Sequence, residues 1–316
     1  MPLPFLIRRL AQTLVLLLVV SLLVFALVTQ APGGPGILLD RNMGPAEIAQ
    51  MRAILGLDQP LHVQYVRWLA QVLRGNFGVS YQAGLPVLEI IGQMLPNTLL
   101  LSGAALVLAL VVAVPAGVLS AARPSSKADQ AVTLLALFGI SVPTFWLGLM
   151  LIVLFSIVLG WLPPGGLRTI GAPPSALDLA RHLVMPALVL GSASMALFAR
   201  YTRSSVMAVL REDYVRTARA KGLAEGAVVC RHALRNALLT IVTVIGVQLP
   251  RLIGGAAVTE TVFAWPGMGS LAVRAAFERD YPMIMGITLV ISAVVAVSSL
   301  LVDVLYVYID PRIRYG

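Results

Sequence analysis

Three stretches of this chain run without a charged side chain for lengths that a water-facing surface does not tolerate. Thirty such residues lie between Arg9 and Asp40, thirty-three between Glu89 and Arg123, and thirty-eight between Asp129 and Arg168. Each exceeds the roughly 20 apolar residues that carry a helix across the hydrocarbon core of a bilayer. Three shorter candidates follow: Leu183 to Ala199, Asn236 to Thr259 with Arg251 inside it, and Tyr281 to Val302. The expected fold class is an all-α integral membrane protein with six transmembrane helices. A composition of 59% hydrophobic and 12% charged residues excludes a soluble globular domain, because so much apolar area has no place in water.

Arg8 and Arg9 precede the first apolar run, as in a secretion signal. The run from Leu10 to Val28 is longer than the apolar core of a signal peptide, however, and no A-x-A site precedes Pro32. It reads as a permanent first span. The single cysteine, Cys230, excludes an intramolecular disulfide framework, and His62, His182 and His232 are scattered. Cys230 and His232 make a poor cation site beside Arg231 and Arg235, so no metal site is expected.

Basic residues near span ends set the orientation. With the N-terminus in the cytoplasm, the inner segments 1–9, 121–130, 200–235 and 303–316 carry fourteen Lys and Arg against six acids. The outer segments carry nine against eight, so nearly all of the +9 net charge faces inward. Both termini are then cytoplasmic. The asymmetry accounts for the basic balance without a nucleic-acid partner.

Two connections are too long to be turns. The outer one, about 30–95, opens with APGGPG. Asp58 and Pro60 then mark a helix start, and Leu61, Tyr65, Trp68, Leu69 and Val72 recur on one side. Such an amphipathic helix suits the membrane interface or a cap over a pore, and serves either as a structural lid or as a docking surface for an outside partner. The inner connection, about 204–235, contains RTARAKGLAEG. Tyr214 to Lys221 is helix-favouring, Gly222 stands where a left-handed terminus forms, and Leu223 follows as its apolar contact. A second short helix is expected from about Ala224 into the fifth span.

Three readings of this device compete. A helix-turn-helix is tethered to spans at both ends and out of reach of duplex DNA. Arginines that anchor topology on anionic lipid account for the charge. They do not account for Ala218, Ala220 and Gly222, whose small side chains favour close contact with another protein, a docking helix for a cytoplasmic partner.

The segment EDYVRTARAKGLAEGAVVCRHALRNAL resembles the cytoplasmic EAA loop of bacterial ABC importer permeases, specifically the first-permease (B-type) subunit of the dipeptide, oligopeptide and nickel permease family. Aligned on Gly222, Arg216, Thr217 and Ala218 take the Glu-Ala-Ala positions, and His232 and Leu234 fall on the Ile and Leu of the pattern. Arg216 replaces the glutamate, Arg235 the proline, and Ala224 a capping serine, which predicts a less firmly started second helix. LGLDQPLHVQYVRWL, SVPTFWLG, RHLVMPAL, TETVFAWPGMG, RDYP and the ending IDPRIR extend the resemblance over nearly the full length.

The resemblance implies a permease core at 98–316, preceded by a span and outer loop at 1–97. It places the ATPase-coupling surface at Arg216, Thr217, Ala218, Arg219, Ala220, Lys221, Gly222, Leu223, Glu225, His232 and Leu234. It further implies a homologous second permease as heterodimer partner, two cytoplasmic ATPases, a periplasmic or lipid-anchored binding protein, and alternating access driven by ATP. The cargo it suggests is a di- or oligopeptide, or alternatively nickel, a metallophore or glutathione.

The residues themselves contain no P-loop, since Lys127 and Lys221 follow Ser126 and Ala220 where a glycine is required, and no nucleophile elbow. The chain is expected to be no enzyme and to hold no cofactor, with ATP and Mg bound by partner subunits. A stand-alone channel or secondary transporter is the alternative from another class. Against it, ion-coupled carriers place acids or histidines mid-span. Pro115, Pro143 and Pro250 are candidate kinks, static or moving. Gln248 and Arg251, three residues apart, are expected to share a face, and with Pro250 and Glu260 they form the candidate translocation pathway. An arginine snorkelling to the outer interface, or pairing with Glu260, is the other reading of Arg251.

Overall fold

The computed structural model describes residues 3–31, 58–229 and 234–309. In chain order its helices are α1 (Leu3–Gln30), α2 (Leu61–Leu73), α3 (Val87–Ala122), α4 (Lys127–Ser141), α5 (Thr144–Leu151), α6 (Ala176–Val209), α7 (Asp213–Ala220), α8 (Glu225–Ala227), α9 (Leu234–Gly254), α10 (Ala257–Val262), α11 (Met268–Glu278) and α12 (Tyr281–Ile309). A π-helical stretch, Ile152–Val158, continues α5. Five helices, α1, α3, α6, α9 and α12, are long and apolar enough to cross a membrane, and the α4–α5 pair makes a sixth span if counted as one. Leu14, Leu22, Leu134, Leu135 and Val111 lie exposed on these helices, as lipid-facing side chains must.

The third span bends sharply at one of the three candidate kinks, Pro143. Its two halves, Lys127–Ser141 and Thr144–Val158, meet at 107°. Pro143 is the physical reason: it offers no N–H, and its ring drives the preceding residue out of the helical region, so Val142 is extended at φ −80°, ψ 126°. By contrast α3 and α9 continue as helices through Pro115 and Pro250. The fourth span also outgrows its apolar run, because Arg181, Arg200 and Arg203 interrupt the hydrophobicity without interrupting helix α6.

The chain divides into two compact units, 1–96 with 270–296, and 97–269 with 297–316. In the first, the aromatic side of α2 turns onto α1. Tyr65 meets Phe25 edge-on with centroids 5.4 Å apart, Trp68 lies 5.7 Å from the same ring, and the Tyr65 hydroxyl is 2.9 Å from Ser21 Oγ. Tyr65 and Trp68 are half-buried on α1, while Leu61 at the start of the same face stays exposed. Helix α2 starts after Pro60, and no side-chain cap from Asp58 is present. Asp280, ahead of α12, accepts from Ser80 Oγ at 2.5 Å and from the N–H of Tyr81 and Met283, which fixes the 80s loop.

In the second unit α6 is the central helix, flanked by α4 and α9. Close approach explains two of its glycine contacts: a Cβ at Gly117 would stand 2.7 Å from the Ala199 carbonyl, and one at Gly191 would stand 2.9 Å from that of Ala105. Small residues let helix backbones approach inside a bilayer, where dispersion replaces the hydrophobic effect as the packing force.

Candidate functional site

The inner connection folds into a short helix on a buried hinge. Helix α7 begins after Glu212 and carries Val215 and Ala218 on its inner side, packed with Val228, Val209 and Leu210. Its last turn closes as a Schellman motif. Gly222 N–H donates to the Arg219 carbonyl at 2.9 Å, and Leu223 N–H reaches back to the Ala218 carbonyl at 3.4 Å. Gly222 sits at φ +77°, a conformation that side chains with a Cβ resist. Tyr214 is tied to the start of α9 through its hydroxyl, 2.5 Å from Asn236 Nδ2.

The structure redistributes the roles expected of these residues. Ala218 is only 7% exposed and is consumed by packing inside the chain, so it offers no surface to a partner. The outward face is made of Arg216, Thr217, Arg219, Ala220, Lys221 and Gly222, all exposed. Leu223, expected as an apolar contact for the cap, is itself 44% exposed. Arg219 grips Glu225 through Nη2 at 2.6 Å and Nε at 3.1 Å, and Arg216 lies 3.3 Å from Asp213. Mutual hydrogen bonding holds the Glu225 carboxyl below its ordinary range and raises the Arg219 guanidinium. The second short helix is a single turn, α8, whose leading Ala224 gives no side-chain cap. Leu234 is half-buried against the Ala121, Val206 and Ala237 cluster. Cys230 and His232 lie outside the described residues.

The four expected pathway residues do not share one surface. Gln248 is 5% exposed and donates from Nε2 to Ser194 Oγ on α6 at 3.0 Å, a link between helices. Arg251 is exposed and Pro250 half-buried. A three-residue step on a helix is an offset of about 60°, enough to put Gln248 against α6 and Arg251 outside it.

Glu260 is fully buried. It accepts from Thr98 Oγ1 at 2.7 Å, and the same hydroxyl accepts the Met268 N–H at 2.8 Å. Trp265 N–H donates to the Glu260 carbonyl, Trp265 Nε1 donates to the Asn97 carbonyl at 3.0 Å, and Asn97 Nδ2 donates to the Pro266 carbonyl at 2.7 Å. The segment TETVFAWPGMG is thereby folded around the Asn97–Thr98 turn of α3, with Ala264 at φ +46° in its bend. Gly267 leaves the room that the Glu260 carboxylate occupies. Glu260 and Gln248 are buried in hydrogen bonds between segments, and Arg251 is the one charged member of the set that is exposed.

A further polar cluster escaped the sequence reading. Asp129, 6% exposed at the start of α4, accepts Arg203 Nε at 2.8 Å and Nη2 at 2.9 Å, together with Ser120 Oγ and the Ser125 N–H. It ties the α3–α4 turn to α6, two turns before α6 ends and α7 begins. The sequence held one usable signal, the Ser126-to-Asp129 spacing of a helix cap, whose Asp129 N–H to Ser126 Oγ bond is present at 3.2 Å. Nothing local pointed to Arg203.

Residues 113–315 match the family described as "Binding-protein-dependent transport system inner membrane component", and residues 2–102 match the corresponding N-terminal family. The chain is 44% identical over 313 residues to the oligopeptide transport system permease protein AppB of Bacillus subtilis, covering 98% of this chain and 99% of that protein. It is 39% identical over 336 residues to the dipeptide transport system permease protein DppB of Escherichia coli, covering 99% of each. Among solved structures, inward-facing MetNI, a methionine ABC transporter, superposes with a TM-score of 0.58 at 17% identity over 71% of this chain and 97% of that one, a likeness of fold. A helical chain with five helices fit to cross a membrane, a sixth if the bent pair is one span, and a capped helix between α6 and α9, matched by this family over residues 2–102 and 113–315, belongs to the inner membrane components of binding-protein-dependent transport systems.

Proposed function

We propose that this chain is the B-type permease subunit of an importer for di- and oligopeptides. It forms the pathway with a homologous second permease, while two cytoplasmic ATPases hydrolyse ATP and a binding protein delivers the cargo from outside. The observation that carries the reading is α7. A basic, exposed helix of eight residues, closed by Gly222 and seated on Val215 and Ala218, gives an ATPase a handle joined to α6 by the short turn at 210–212. Force applied there reaches α4 through Asp129 and Arg203, and the spans rearrange as semi-rigid bodies. The peptide cargo is supported by the full-length similarity to chains named as oligopeptide and dipeptide permeases. The N- and C-termini and α7 share the cytoplasmic side, as the charge asymmetry requires.

Within this reading Arg251 contacts the cargo and holds a peptide carboxylate. The test is uptake of labelled di-, tri- and pentapeptides, nickel and glutathione by the reconstituted complex. Peptide uptake dependent on both ATP and the binding protein is expected, with Arg251→Ala altering the preference among peptides. Uptake of nickel or glutathione in place of peptides would overturn the cargo, and an unchanged peptide profile in Arg251→Ala would remove that residue from the pathway.

A further inference from the structure

Between α4 and α6 runs a groove of about 560 Å³ whose chemistry changes along its length. One end is apolar, lined by Leu137 and Ile140 of α4 and Leu197 of α6. The other carries Arg200, Arg203 and Ser204, and lies toward the end of α6 that leads into α7. The two walls follow from helical periodicity, since Leu137 and Ile140 are three apart and Leu197, Arg200 and Ser204 recur at three and four.

Asp129 fixes the basic end. By engaging Nε and Nη2 it holds the Arg203 guanidinium in one plane, and among the described residues Nη1 takes no protein partner. It also neutralises that charge, so the surplus positive charge is Arg200, exposed one turn away and without a carboxylate partner among the described residues.

An apolar helix packed into this groove would bury the Arg200 guanidinium unpaired, which is costly. A phosphodiester satisfies it with charge-assisted hydrogen bonds, and basic pockets between membrane helices at the interface bind anionic headgroups. The apolar end then lies at the depth of an acyl chain attached to that headgroup, so the polarity gradient of the groove is that of a single lipid.

We infer that the groove is a site for one anionic phospholipid, with its phosphate between Arg200 and Arg203 and an acyl chain along Leu137, Ile140 and Leu197. The inference rests on the membrane-spanning fold and is independent of which cargo is carried. A lipid held there buttresses α4 against α6 beside the helix that enters α7.

The test uses the complete transporter, this chain with its second permease and ATPases, purified and titrated with phosphatidylglycerol or phosphatidylcholine under native mass spectrometry. The wild type retains one phosphatidylglycerol through delipidation. Arg200→Gln, which removes the charge, keeps a polar side chain and leaves the Asp129–Arg203 pair intact, is expected to weaken that binding about tenfold with phosphatidylcholine binding unchanged. Ile140→Trp, which fills the apolar end, displaces the lipid without altering charge. Equal phosphatidylglycerol retention in wild type and both variants would overturn the site. So would an altered peptide preference with lipid retention intact, which would assign the groove to the pathway, or separation of the two permeases in Arg200→Gln, which would assign it to their interface.

Discussion

Replacing Gly222 separates a backbone role from a surface role at the proposed coupling helix. The residue sits at φ +77°, and a Cβ there would meet nothing within 4 Å among the described residues, so the added carbon itself finds open space. The cost is conformational, on the order of 1 kcal/mol for Ala and about 2 kcal/mol for the β-branched Val, with Asn, which tolerates the left-handed region, below both. An isolated helix of eight residues is marginal, and α7 is held by its cap and by burial of Val215 and Ala218. Burying a valine side chain is itself worth about 1.5–2 kcal/mol. A strain of about 2 kcal/mol is therefore comparable to what seats the helix, and it shifts the seated-to-frayed ratio about thirtyfold.

Recovery of the ATPases with affinity-purified permease pairs, and ATP-driven uptake, should fall in the order Gly222→Asn, Gly222→Ala, Gly222→Val. Insertion and permease pairing should be unchanged. Full ATPase recovery and uptake with Gly222→Val would refute the reasoning. Equal damage from Asn and Val would show that bulk against a partner, and not backbone strain, is what matters.

Other outcomes follow from the same contacts. Since Arg219 lowers the Glu225 pKa, the pair contributes above the ordinary glutamate range, and its contribution is lost as pH falls through the lowered value. Rate-corrected hydrogen exchange at 219–225 should lose protection on acidification in wild type and be insensitive in Glu225→Gln, by a modest amount because both side chains are largely exposed. Asp129→Ala leaves Arg203 without its partner and should lower the melting temperature in detergent. The double variant with Arg203→Met should recover part of that loss, and strict additivity would contradict the pairing. In a chain with Cys230 removed, Ile170→Cys, fully exposed in the loop before α6, should label with an impermeant thiol reagent from outside the cell, and Lys127→Cys should label only after permeabilisation. Labelling of Lys127→Cys in intact cells would invert the orientation.

The spans were legible because lipid imposes a one-dimensional rule, an unbroken apolar run, that needs no knowledge of partners. Gly222 was legible for a related reason, since a glycine after a helix-favouring run reports its own backbone conformation. The bend at Val142 was legible as the candidate kink at Pro143, but nothing in the sequence told it apart from Pro115 and Pro250, through which the helices continue. What the sequence concealed were the partners of polar groups. Gln248 finds Ser194, Glu260 finds Thr98, and Asp129 finds Arg203 across separations of 54, 162 and 74 residues. In a membrane chain a lone polar side chain reads equally well as a pathway group or as an interhelical hydrogen bond, and only the packing of the helices decides. Ala218 illustrates the same limit on the surface, where small size suited an external contact and the fold used it for an internal one.

The central claim, that an ATPase engages the permease at α7, is tested most directly by thiol cross-linking from Lys221→Cys in the Cys230-free chain, within the assembled transporter. Lys221 is exposed at the capped end of the helix. An adduct with the ATPase subunit, formed in the resting complex and changed in yield by ATP, is the predicted result. A transporter that turns over normally while Lys221→Cys yields no ATPase adduct with reagents of any length would contradict it.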